Sequence, residues 1–169
     1  RLFVEKKPEF NSASGPLLHD LKTNLQLAGL ESLRIVQRYD IEGLDESQLE
    51  EATRLILSEP QVDTTSTELP LREGEQWFAV EYLPGQFDQR ADSAAQCVQI
   101  LTQQQRPLIA SAQVIILKGS LNDKDANMLF HSIALCPEDV LAPVAVVQLL
   151  CEADADNSSK ATAILVRRS

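Results

Sequence analysis

Apolar positions in the first half of the chain switch between two periods. Leu2 and Val4 fall on one face of a short strand over 2–6, which Pro8 ends. Asn11, Ser12 and Ser14 offer side-chain oxygens to cap a helix whose apolar side is Leu17, Leu18, Leu21 and Leu25, closed by Gly29. Leu33, Ile35, Tyr39 and Ile41 then alternate with Arg34, Arg38, Asp40 and Glu42, a strand with one wet face that Gly43 ends. Asp45 and Gln48 have the spacing of a capping box, and Leu49, Ala52 and Ile56 continue as the buried side of a second helix. Ser58-Glu59-Pro60 stops that helix. The Thr-rich stretch from Val62 to Leu71 reads as a third strand or a linker, and Arg72-Glu73-Gly74-Glu75 as a polar turn and the best boundary.

The second half repeats this plan. Phe78, Val80 and Tyr82 alternate with Ala79, Glu81 and Leu83, and Pro84-Gly85 breaks the strand. Asp88 is placed to cap a helix with the stripe Ala91, Ala94, Ala95, Val98 and Leu101, leaving Arg90, Gln96, Gln99 and Gln103 outward. A strand over 112–117, rich in β-branched residues, ends at Gly119. Asn122 is a candidate cap for a helix with Ala126, Leu129, Phe130 and Ile133 inward, and 137–145 can hold a last strand. Residues 152–159 read as a solvated loop and 161–166 as strand-like.

Corresponding positions lie 76 apart: Val4 and Val80, Glu5 and Glu81, Pro8 and Pro84, Leu25 and Leu101, Gly43 and Gly119. At a spacing of 77, Leu44, Asp45, Ile56 and Pro60 fall on Leu121, Asn122, Ile133 and Pro137. The pattern predicts an α+β fold of two tandem βαβαβ-type units. The units span 1–71 and 76–146, with a tail over 147–169. Each is too small to cover both faces of its sheet. The expected solution is a pseudo-dimer of mainly antiparallel sheets packed by helices, joined face to face or edge to edge.

Composition narrows the function classes. A net charge of −10 and a pI of about 4.6 argue against a nucleic-acid partner, which needs clustered cations, whereas Lys6-Lys7 and Arg167-Arg168 are only pairs. The longest apolar-rich run, 140–151, is shorter than the roughly 20 residues that span a bilayer. No charged-then-apolar leader opens the chain, and three widely spaced cysteines, Cys97, Cys136 and Cys151, suit a reducing cytosol, so no membrane partner and a cytoplasmic location are expected. The sequence contains neither GxxxxGK[ST] nor GxGxxG, and no zinc-type Cys/His spacing. His19 and His131 fall in helical patterns far apart, and Cys97 lies among Ala94, Val98 and Leu101, where a thiol is expected to be inert. Glu46, Glu50, Glu51 and Glu59, placed on one helix, read as a solvated face, as do Asp154 and Asp156 in the tail. No catalytic, cofactor-binding or metal-binding residue is assigned. One cluster, Gln86, Asp88, Gln89, Arg90 and Asp92, surrounds a helix N-terminus and reads as a cap with a solvated first turn, or as a contact surface.

The wording of 79–99, AVEYLPGQFDQRADSAAQCVQ, resembles the amino-terminal domain of long single-chain phosphoribosylformylglycinamidine synthases. So do Phe3-Val4-Glu5-Lys6-Lys7-Pro8-Glu9-Phe10, Arg38-Tyr39-Asp40-Ile41-Glu42-Gly43 and Ser58-Glu59-Pro60-Gln61-Val62-Asp63, and the likeness runs over about 1–121. In that family a glutaminase region frees ammonia for an ATP-dependent synthetase region in purine synthesis. The resemblance implies that this domain is non-catalytic, that ATP and Mg²⁺ serve the full-length parent, and that its partners are the two catalytic regions. Gln86, Asp88, Gln89, Arg90 and Asp92 are the candidates for that interdomain contact. The competing reading is a free-standing ferredoxin-like or ACT-like module for binding or self-association.

Overall fold

A computed structural model describes residues 1–27, 29–82, 85–120 and 125, together with the backbone of 144–148. Among these residues six strands, β1 (Leu2–Lys6), β2 (Leu30–Glu42), β3 (Asp63–Ser66), β4 (Glu75–Tyr82), β5 (Leu108–Gly119) and β6 (Val144–Gln148), form one antiparallel sheet in the order β3-β1-β2-β5-β4-β6. Three helices, α1 (Ser14–Asn24), α2 (Glu46–Ala52) and α3 (Gln89–Thr102), pack on it. The class is α+β, as the periodicity predicts. The halves meet edge to edge through β2 and β5 in one continuous sheet, one of the two arrangements the sequence leaves open. The expected cap at Asn122, the helix after it, and the 161–166 segment lie outside the described residues.

Side chains alternate along a strand, so pairing register decides which residues share a face. Leu33, Phe78, Ile115 and Leu117 lie under Leu21 of α1, with Leu17, Leu18 and Leu25 alongside. On the same face, Leu2, Val4 and Tyr39 meet Ala52 at the end of α2 and Ala94 and Val98 of α3. The opposite face carries Phe3, Val36, Ala79, Val114 and Ile116, against which Leu69, Leu71 and Trp77 pack. The 62–71 stretch therefore plays both expected roles, an edge strand and then a strip laid across the sheet.

The pairing recurs at a fixed spacing. Leu2 pairs with Tyr39, and 76 positions later Phe78 pairs with Ile115; Glu5 pairs with Val36, and Glu81 with Ala112. Gln37 and Gln113, themselves 76 apart, are direct partners at the middle of the β2–β5 ladder.

Helix α2 begins on the expected capping box: Gln48 N donates to Asp45 Oδ1 at 2.8 Å and Asp45 N to Gln48 Oε1 at 3.1 Å. Asp45→Ala is expected to cost about 1 kcal/mol in a urea melt. The helix then widens into a π turn, Thr53–Leu57, which Ser58 closes by donating from its N and Oγ to Thr53 O. Ser58 is extended, so Glu59 lies beyond the helix rather than on it, a correction to the sequence reading.

The polar turn at 72–75 is also tied in more tightly than its composition suggests. Glu75 is 3% exposed and opens β4. Its carboxylate takes Arg34 Nη2 at 2.6 Å and Arg34 Nε at 3.1 Å, while Arg34 Nη1 reaches Glu5 at 2.8 Å and Nη2 also donates to Pro70 O at 2.7 Å. Arg34 thus holds β1, β2, β4 and the connector together. Burial alone would lower its pKa, but Glu75 and Glu5 outweigh it and raise the value. A raised cation contributes fully below its unfolded pKa and is lost only as pH climbs through the folded one. For an arginine that window lies above neutral pH.

Candidate functional site

Asp88 begins α3 by accepting from Ala91 N at 2.9 Å, as its spacing predicts. It does more than cap. Its other oxygen accepts from Ser111 N at 2.9 Å, and Ser111 Oγ donates to Oδ1 at 3.1 Å, clipping the helix start onto β5. Asp88→Ala removes the cap and leaves the Ser111 amide unpaired, with an expected loss of about 2 kcal/mol by chemical denaturation.

The other members of the predicted cluster have different surroundings. Asp92 is paired with Arg106 Nη2 at 2.6 Å in a half-exposed bridge. Gln86 is half-buried in the turn before the helix, and Gln89 is exposed. Arg90 leans towards the sheet, its Nη1 3.5 Å from Tyr39 Oη, at the outer limit of a hydrogen bond. Phe87, which the sequence reading passed over, stands 70% exposed among them.

Arg90 and Tyr39 border two adjoining hollows. A cleft of about 350 Å³ lies over the middle of the sheet, where Gln37 and Gln113 form part of its lining with Lys6, Glu59 and Asp63. A wider, shallower hollow of about 530 Å³ continues along α3 past Tyr82, Ser93 and Cys97. Cys97 is exposed there, not enclosed by its apolar neighbours. The helix turns so that Ala94 and Val98 go down and the thiol between them goes sideways.

The cleft was absent from the sequence reading, although a signal for it exists. The inward alternation Leu33, Ile35, Tyr39, Ile41 skips one position, and that position is Gln37. Its direct partner Gln113 is also a polar inward position, on β5 between Ser111, a second polar one, and Ile115. A polar residue at the inward position of both central strands marks where the helix layer leaves a gap. Asp63 is buried at one wall, accepting from Glu59 N at 2.8 Å and paired with Lys6 Nζ at 2.9 Å.

His19 is exposed on α1, and His131, Cys136 and Cys151 lie outside the described residues. Among the described residues, no group of three or more His, Cys, Asp or Glu side chains is placed to hold a metal ion, and no helix is long and apolar enough to cross a membrane. No protein-family model, curated protein sequence or solved structure matches the chain.

Proposed function

We propose that this chain is the non-catalytic front domain of a long-form phosphoribosylformylglycinamidine synthase, acting in the cytoplasm. Its task is to hold the glutaminase and synthetase regions in register, so that ammonia passes between them rather than into water. The observation that carries the reading is the recurrence of the same strand pairs 76 residues apart, about the Gln37–Gln113 partners. That recurrence supports reading the chain as two copies of one small unit fused into a pseudo-dimer. A fused pair of accessory units is what the family-like wording of 1–121 implies. In this reading ATP and Mg²⁺ serve the full-length parent rather than this domain, whose sequence carries no glycine-rich phosphate loop.

The contact surface in this reading is the start of α3. Phe87 supplies an exposed aromatic anchor, and Gln86, Gln89, Arg90 and Asp92 a polar rim around it. Co-expression with the synthetase and glutaminase regions is expected to give a stoichiometric complex on gel filtration. Phe87→Ala is expected to weaken it by about tenfold or more while leaving the melting temperature of the free domain unchanged. Absence of any complex would remove the scaffold role and leave the free-standing binding module in its place.

A further inference from the structure

The central cleft has the electrical character of a site for a dipolar ligand. Four charged side chains line it, Lys6 and Arg90 against Glu59 and Asp63. Lys6 and Asp63 are committed to each other at 2.9 Å, and Asp63 is 8% exposed. That leaves one cation and one anion on the walls, Arg90 and Glu59, both exposed. A phosphate dianion would meet no net positive charge here, whereas a molecule carrying one charge of each sign would meet a partner for both.

The remaining lining adds a third requirement. Gln37 is fastened, its Nε2 donating to Ala112 O at 2.8 Å. Gln113 beside it is exposed into the cleft, and its carboxamide makes no side-chain hydrogen bond among the described residues. A carboxamide presents a donor and an acceptor side by side, the pattern another carboxamide pairs with reciprocally. The volume of about 350 Å³ falls within the roughly 300–1,000 Å³ of small-molecule sites. The wall beside it is the π turn at Thr53–Leu57, a local widening often found at binding sites.

We propose that this cleft binds a free α-amino acid with a carboxamide side chain. Arg90 takes its carboxylate, Glu59 its ammonium group and Gln113 its amide. The inference stands on the cleft alone and holds whether or not the chain docks on a synthetase. Titration calorimetry of the full 169-residue chain against L-glutamine, L-alanine and inorganic phosphate tests it. Expected is saturable one-to-one binding of L-glutamine, about tenfold or more tighter than L-alanine, and no phosphate binding. Arg90→Met is expected to weaken both amino acids by at least about tenfold, and Gln113→Leu to remove the preference for glutamine while leaving alanine unchanged. Both side chains are exposed, so circular dichroism and melting curves are expected to match the unaltered chain. Failure of L-glutamine to bind at millimolar concentration overturns the proposal, as does displacement by phosphate or unchanged binding in both folded variants.

Discussion

Arg34→Met is expected to remove about 3–5 kcal/mol of folding free energy, a large share of the roughly 5–15 kcal/mol a domain possesses. Arg34 contacts two carboxylates and a carbonyl, and Glu75 beneath it is almost wholly sealed from water. Methionine fills much of the same space but strands Glu75 as a buried anion. The loss is therefore a desolvation penalty more than a missing attraction. It follows that Arg34→Met with Glu75→Leu recovers most of the stability, because the pair can be replaced together by apolar groups at little cost. Arg72 N, which donates to Glu75 Oε2 at 2.7 Å, sets the part not recovered. Urea denaturation of the two single variants and the double variant measures the coupling. Additive losses would show that the buried carboxylate does not depend on Arg34.

Gly119→Ala is the second substitution with a large expected effect. A β-carbon there would stand 2.1 Å from Gly29 O and 2.9 Å from Glu31 N, both backbone atoms of the neighbouring strand end, at a φ of +153°. Neither neighbour is a side-chain tip that can swing aside. Strain and forced displacement together are expected to cost about 2–5 kcal/mol. Gly15→Ala in α1 is the control: nothing lies within 4 Å of its β-carbon, and the expected change is a gain of about 0.5–1 kcal/mol. Equal melting temperatures for the two variants would mean that the β2–β5 ladder does not close as tightly as Ser120 N donating to Gly29 O at 2.9 Å implies.

Much of this architecture is written locally, and those parts were readable from the sequence. Leu2 and Val4 on one face, the Asp45–Gln48 box, the Asp88 cap and the alanine stripe of α3 all follow from neighbours within one turn or one strand. What lay hidden depends on partners distant in sequence. Glu75 reads as a turn residue because the arginine that buries it is 41 positions away. Asp88 reads as a simple cap because Ser111, 23 positions on, is needed to make it a clip. The Thr53–Leu57 π turn has no signature in its residue types, and the extended Ser58 that follows it puts Glu59 outside the helix on which the sequence places it. The predicted contact cluster gathers around the start of α3, but only Arg90 of its members reaches the cleft. The glutamines on the central strands were visible as breaks in an apolar alternation whose meaning required the second strand.

Each half of this chain leaves a central strand exposed until the other half covers its edge, which makes the β2–β5 ladder the joint of the whole structure. Native-state amide hydrogen exchange across a urea series tests that directly. Amides of Val36 and Val114, partners across the joint, are expected to exchange only through global unfolding, with one free energy and one urea dependence. Two distinct free energies, one for the β1–β2 pair and another for the β4–β5 pair, would mean that the halves open independently and would contradict a single joint.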